Sequence, residues 1–421
     1  MEKLQVNNFL VIKSANFEVG RINLIIGSQA NGKSVLAKLL YFFREFLSST
    51  YLESIKNFEL KKDLEKEALF DFEKYFPKYT WANKIFSIEY SINDFSIEIS
   101  RKKNKSGGVS VKFDYSKNLI FLHKKLKNSY KKWQTHIEQN NISEISIKDI
   151  YSKTIDECVF DKEIGVNFNH SIFIPASRSF FANLQRNVFS FLSSNIDIDP
   201  FISSFGAQYE SVKRYYGTLF YNEKVDKSKF AKINKVVESI LVGKYKYEDD
   251  KDWIEYKGQI INLSNASSGQ QEALPMLLVM SLVSLSLSEK QNLKLFIEEP
   301  EAHLFPISQK HIVSLIGLIY NSAKHDFVIT THSPYILTAI NNMILARDVA
   351  NEQGADKLNN IIDPDFTIAY EDVKAYTIKD GVLISILDDD SRLIGENIID
   401  SVSDEFSAVF DDLLNLQAGV N

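Results

Sequence analysis

The chain has 421 residues, 44% hydrophobic and 25% charged, ordinary globular usage with enough apolar side chains for a large core. A net charge of −6 excludes the basic excess of a dedicated nucleic-acid coat, and a single cysteine, Cys158, excludes an intrachain disulfide framework and suits a reducing cytosol. No basic-then-apolar signal opens the chain, and the longest uncharged stretch, 273–288, contains Pro275 and falls short of the ~20 apolar residues that cross a bilayer, so a cytoplasmic protein without a membrane partner is expected.

From the start, Leu4–Val6, Leu10–Ile12 and Ala15–Val19 alternate apolar and polar residues, which predicts a β-rich N-terminal lip turned by Gly20. Ile22–Ile26 is a short apolar run suited to a buried strand, and Val35–Leu47 is apolar on a helical period. Between them Gly27 to Ser34 reads Gly-Ser-Gln-Ala-Asn-Gly-Lys-Ser, a full match to G-x-x-x-x-G-K-[ST] in the strand, turn, helix context of a phosphate-binding loop. Backbone N–H groups of such a turn point at an anion, and the helix N-terminus adds roughly half a positive charge. Lys33 is expected to reach the outer phosphates of ATP and the Ser34 hydroxyl to take one position on Mg²⁺. Gly27 and Gly32 let backbone approach phosphate where a Cβ would block it, and Asn31 joins them in the expected nucleotide-binding set.

Residues 53–79 read as a charged helix broken at Pro77. The period then changes to two, and Phe86–Ile92, Phe95–Ile99 and Val109–Phe113 predict a meander of strands with turns at Asn93-Asp94 and Ser106–Gly108. Lys102, Lys103 and Lys105, then Lys124, Lys125, Lys127, Lys131 and Lys132 on an amphipathic helix, read first as a solvated face; a DNA or partner surface is the sharper alternative. Residues 140–163 are polar and read as an insertion, Ser171–Ala176 as a strand ended by Pro175, and 183–258 as mostly helical before a strand at Ile260–Leu263. The expected division is therefore 1–47 with the phosphate loop, 48–165 as an inserted subdomain, 166–260 as an aromatic-rich helical part, 261–345 as the rest of the ATPase core, and 346–421 as a strand pair turned by Asp380-Gly381 plus a helix over 401–416.

Three more stretches carry chemistry. Leu293–Glu301 is an apolar strand ending in Glu298-Glu299, and phosphoryl transfer needs one carboxylate near Mg²⁺ and one group to orient water. Glu298 suits the first role and Glu299 the second, since neighbouring side chains on a strand point oppositely. Asp326–Pro334 is another apolar strand, and it delivers His332, a donor for a γ-phosphate, to the edge where ligands of α/β sheets collect. Asn265–Glu272 is a polar Ser/Gly turn opening a buried helix, a second anion-binding helix end through Ser267, Gly269 and Gln270. Two such ends in one chain suggest a two-fold dimer in which each Ser267 turn closes over nucleotide held by the other copy. Asp388–Asp390 reads as a solvated turn.

In that order, these motifs resemble the ABC-type ATPase heads of the OLD (overcoming lysogenization defect), RecF and SMC group. The Glu-Glu-Pro-Glu-Ala-His-Leu and Ile-Thr-Thr-His-Ser-Pro wording is most similar to OLD-like ATPases of bacterial phage defence. The resemblance covers about 1–47 and 260–337, with a Pro-Ala-x-Arg element at Pro175 to Arg178. It implies an α/β P-loop fold of ABC type with a mixed central sheet, helices on both faces, a β-rich N-terminal part and a helical insertion. It also implies a signature turn at Ser267–Gln270, a magnesium-linked Glu298, a hydrolytic Glu299, a dimer-contacting loop at Glu301–Leu304 and a switch His332. Arg178 is taken as a nucleotide-sensing residue, and Gln185 as a candidate for the Gln-loop. The signature departs from the common Leu-Ser-Gly-Gly-Gln by reading Ala-Ser-Ser-Gly-Gln. The tail after His332 reads as too short for the Toprim nuclease of many OLD proteins, typically a further ~100 to 150 residues. The implied activity is ATP hydrolysis by a homodimer, or an assembly of dimers, acting as a sensor that governs a separately encoded nuclease or toxin. The rivals are a RecF- or SMC-like ATPase acting on DNA, a transporter's nucleotide-binding subunit and a free-standing toxin.

Overall fold

A computed structural model describes residues 1–103, 108–140, 171–182, 198–219, 226–286, 292–358 and 361–395, with 407–410 and 413–414. The insertion at 140–163 beyond its first residue, Cys158, Gln185 and ten of the sixteen residues of the expected helix at 401–416 lie outside these residues.

The chain opens with an antiparallel hairpin, β1 (Glu2–Phe9) and β2 (Ile12–Val19), then β3 (Ile22–Ile26) and α1 (Lys33–Ser48). The run Leu10–Ile12, expected as a strand, is the hairpin tip: Asn8 and Leu10 take positive φ, and Ile12 starts the return strand. The single helix expected over 53–79 is two, α2 (Thr50–Lys56) and α3 (Lys61–Tyr75), separated where Phe58 adopts φ 55°. β4 (Phe86–Ile92), β5 (Phe95–Lys103) and β6 (Val109–Tyr115) form the expected meander, and α4 (Lys117–Asn140) follows. β7 (Ser171–Ile174) precedes α5 (Pro200–Leu219) and α6 (Lys227–Leu241).

A separate three-stranded sheet comes next: β8 (Lys244–Glu248), β9 (Lys251–Tyr256) and β10 (Gln259–Asn262). Only its last strand was expected, because Lys-Tyr alternation with one face half open carries little hydrophobic contrast. α7 (Ser268–Ser286) is the buried helix, β11 (Lys294–Glu298), α8 (Pro306–Ser322), β12 (Asp326–Thr331) and α9 (Pro334–Gln353) follow, and β13 (Val373–Lys379) and β14 (Val382–Ser385) make the expected pair.

Eleven of the described strands form one mixed sheet in the order β6-β5-β4-β1-β2-β14-β13-β3-β12-β11-β7. From β13 to β7 it is parallel, and every residue of β3, β11, β12 and β7 is buried, as strands covered on both faces must be. Leu295 and Ile297 join the apolar layer made with α5 to α9, whereas Phe296 joins the layer made with α1 to α3 and the meander. This is an α/β P-loop ATPase fold with helices on both faces of a mixed sheet and a β-rich N-terminal part. Register aligns the strand ends that matter: Ile26 lies opposite Thr331, and Thr330 opposite Glu298. The C-terminal edges of β3, β12 and β11 therefore form one line, which is where ligands of such sheets bind.

Candidate nucleotide-binding site

Gly27 to Gly32 connects β3 to α1. Gly32 caps α1 at φ 95° and no side chain accepts from the first turn, so those N–H groups are left to a ligand. The hairpin tip supports the loop from behind: a Cβ on Gly32 would come within 2.5 Å of Ile12 Cδ1 and 2.7 Å of Val11 Cγ2. Asn31 shapes the loop from within, its amide donating to Ser28 Oγ (2.7 Å) and Ile378 O (3.2 Å). Lys33 is buried, its ammonium donating to Gly27 O (2.8 Å) and Ser28 O (2.6 Å). Burial lowers its pKa, while the charges of Glu299 and Glu301 act the other way. Ser34, half-buried, is the second residue of α1.

The ends of β11 and β12 supply the acids and the imidazole. Glu299 Oε1 lies 2.8 Å from His332 Nε2, so with a carboxylate facing it Nε2 is the donor. His332 Nδ1 lies 2.9 Å from Gly27 O and 3.2 Å from Lys33 Nζ. One chain of contacts thus runs from Glu299 through His332 to the phosphate loop. Glu301, which sequence reasoning put only in the dimer-contacting loop, fixes this geometry: its Oε1 accepts from Thr331 Oγ1 and from the His332 N–H, both at 2.7 Å. Ser333 caps α9 by accepting from the N–H groups of Tyr335 and Ile336.

Glu298 is buried, with Oε2 accepting from the Ala176 N–H at 3.3 Å and Oε1 without a partner among the described residues. A buried carboxylate oxygen left unpaired is costly, and a hydrated divalent cation is a fitting partner for it. No cluster of three or more His, Cys, Asp or Glu side chains suited to a metal occurs among the described residues.

A family model described as an AAA ATPase domain matches residues 1–337. The chain belongs to that family. Among solved structures, it is similar to an SMC head bound to the C-winged helix domain of ScpA (TM-score 0.42, 10% identity, 92% of this chain and 98% of that one). It is also similar to the SMC head domain from Thermotoga maritima (TM-score 0.36, 12% identity, 91% and 97%) and to RecF with ATPrS (TM-score 0.35, 12% identity, 91% and 97%). No curated protein matches the sequence. Among the described residues no helix of this AAA ATPase domain is long and apolar enough to cross a membrane.

The turn Ser267–Gln270, expected as the signature, lies at the exposed mouth of α7. Ser267 Oγ donates to Gln270 Oε1 at 3.1 Å and accepts from the Gln270 N–H at 3.3 Å, and the Gln270 amide donates to Leu241 O. Gly269 packs on the loop after β11, where a Cβ would come within 2.7 Å of His303 O. Among the described residues Ser267 makes no hydrogen bond to residues 27–34 of its own chain. Arg178, expected at the nucleotide, has a different setting: it is fully buried, and each of its three nitrogens donates to a protein oxygen. Its carboxylate neighbour Glu272 was missed, although a lone acid at the start of an otherwise apolar helix was its signal in the sequence.

Proposed function

We propose that this AAA ATPase domain binds ATP with magnesium, hydrolyses it, and works as a nucleotide-clasped homodimer. The observation carrying the reading is the Glu299, His332, Gly27 and Lys33 contact chain, which joins a water-orienting carboxylate to a phosphate loop. The loop and α1 N–H groups hold the phosphates, and a phosphate oxygen competes with Gly27 O and Ser28 O for the Lys33 ammonium. Ser34 and Glu298 would hold Mg²⁺, which when bound neutralises charge on the β- and γ-phosphates. Glu299 orients a water toward the γ-phosphorus and takes its proton as the bond to the β–γ bridging oxygen breaks, and His332 donates to the Glu299 carboxylate and to the γ-phosphate edge. The Ser267 turn, exposed and without a hydrogen bond to the phosphate loop of its own chain among the described residues, serves the nucleotide of the second copy.

Such a dimer differs in shape from its ADP form, and the role proposed for that difference is control of a separate effector, a nuclease or toxin, in phage defence. That role rests on the motif resemblance to OLD-like ATPases. A RecF-like role on DNA stands beside it, favoured by the exposed lysines of α4, Lys124, Lys125, Lys131 and Lys132. Duplex binding that weakens steeply with salt and raises ATP turnover would select the DNA role.

The test of the enzyme itself is steady-state phosphate release beside equilibrium ATP binding. Wild type should turn over ATP, and Glu299→Gln should keep its affinity while losing on the order of 100-fold or more in kcat. Equal turnover by both would reject the role of Glu299.

A further inference from the structure

Arg178 follows β7, and Glu272 is the fifth residue of α7, five residues beyond Ser267. The two interlock. Arg178 Nε donates to Glu272 O at 3.0 Å, the Arg178 backbone N–H donates to Glu272 Oε2 at 2.8 Å, and Ser179 Oγ donates to Glu272 Oε1 at 2.7 Å. The far side of the same guanidinium grips the end of β11: Nη1 donates to Glu298 O at 2.7 Å and Nη2 to Glu299 O at 2.9 Å. Burial lowers the Arg178 pKa, and four carboxylates, Glu272 first, work to keep the cation.

What that grip holds is strained. Glu299 has φ 44°, a left-handed conformation that is costly for a non-glycine residue and persists only where its surroundings impose it. The peptide groups imposing it are few: the Glu299 N–H donates to Thr330 O at 2.9 Å, and its carbonyl accepts from Arg178 and from the Ala302 N–H at 3.1 Å. The mouth of α7 is therefore one rigid, planar side chain away from the backbone that aims the hydrolytic carboxylate.

We infer that Arg178 and Glu272 are positioning residues that transmit the engagement of the Ser267 turn to Glu299 of the same chain. Resting on the clasped-dimer reading, this connects two nucleotides: Ser267 meets the one held by the second copy, and Glu299 acts on the chain's own. Filling one site sets the geometry of the other, so hydrolysis is cooperative in ATP.

The full chain carrying Glu272→Gln, and separately Arg178→Lys, tests this with three readings: ATP affinity, kcat, and the Hill coefficient of turnover. Wild type should approach the two-site limit. Glu272→Gln should bind ATP within about twofold of wild type, lose about 10- to 100-fold in kcat, since ~1 Å of misplacement costs that much, and fall to a Hill coefficient of one. Arg178→Lys should do the same, because an ammonium cannot grip both carbonyls and Glu272 together. A Glu272→Gln protein with wild-type kcat and cooperativity would overturn the inference, as would a lowered melting temperature with both kinetic readings intact. Wild type that hydrolyses ATP as a monomer at all concentrations would instead overturn the clasped dimer, and is read separately by sedimentation.

Discussion

At the residue scale, each chemical group of the site sits within one residue of the end of a buried strand or the start of a helix. Lys33, Glu298, Glu299 and His332 were legible for that reason, since an apolar run that stops on one polar residue announces both the strand and what it delivers. Lys33→Ala removes a buried ammonium that would make charge-assisted bonds to phosphate, together about 3 kcal/mol, so ATP affinity should fall about 100-fold in a calorimetric titration. His332→Ala should leave that affinity near wild type and lower kcat about 100-fold, because Glu299 loses the donor that aims it. Arg178 and Glu272 were not legible as a pair. They are 94 positions apart, and nothing local in either segment says that one buried guanidinium will bridge a helix mouth to a strand end.

At the element scale, the parallel strands are anchored at the opposite edge from the nucleotide by a buried ionic cluster. Glu2, at the start of β1, accepts from Arg44 of α1 at 2.8 Å, from Tyr90 of β4 at 2.9 Å and from Lys294 of β11 at 3.2 Å. Burial alone would raise the Glu2 carboxyl, but the charges of Arg44 and Lys294 and the hydrogen bonds from Arg44 and Tyr90 outweigh it and hold the group at about 2. Its contribution is therefore complete above its ordinary 4.5 and is lost as pH falls toward 2. Glu2→Gln leaves two buried cations short of a counter-charge and should cost about 3 kcal/mol in denaturant unfolding at pH 7, with the penalty shrinking between about pH 4.5 and 2. A penalty independent of pH across that window would contradict the assignment. The meander and the β13–β14 pair were legible from two-residue alternation and turn residues. The tip at Leu10–Ile12 and the break at Phe58 were not, because apolar residues there adopt positive φ that composition does not signal.

At the scale of the whole molecule, no hydrogen bond among the described residues joins the phosphate loop, with its acids and imidazole, to the exposed Ser267 turn, which is bonded within itself and, through Gln270, to Leu241 O. Sequence order announced both halves, but a chain read alone cannot show which surfaces close on each other. In the dimer proposed above, a second copy related by a two-fold axis would complete both sites at once, and the loop from Glu301 to Leu304, packed on Gly269, lies beside the turn that would make the contact. The most direct test is sedimentation velocity of the Glu299→Gln chain with ATP and Mg²⁺, alone and with Ser267→Arg added. The account predicts a dimer with nucleotide, a monomer without it, and a monomer that still binds ATP when Ser267 is replaced. A chain that stays monomeric at saturating ATP, or a dimer indifferent to the Ser267 change, would contradict it.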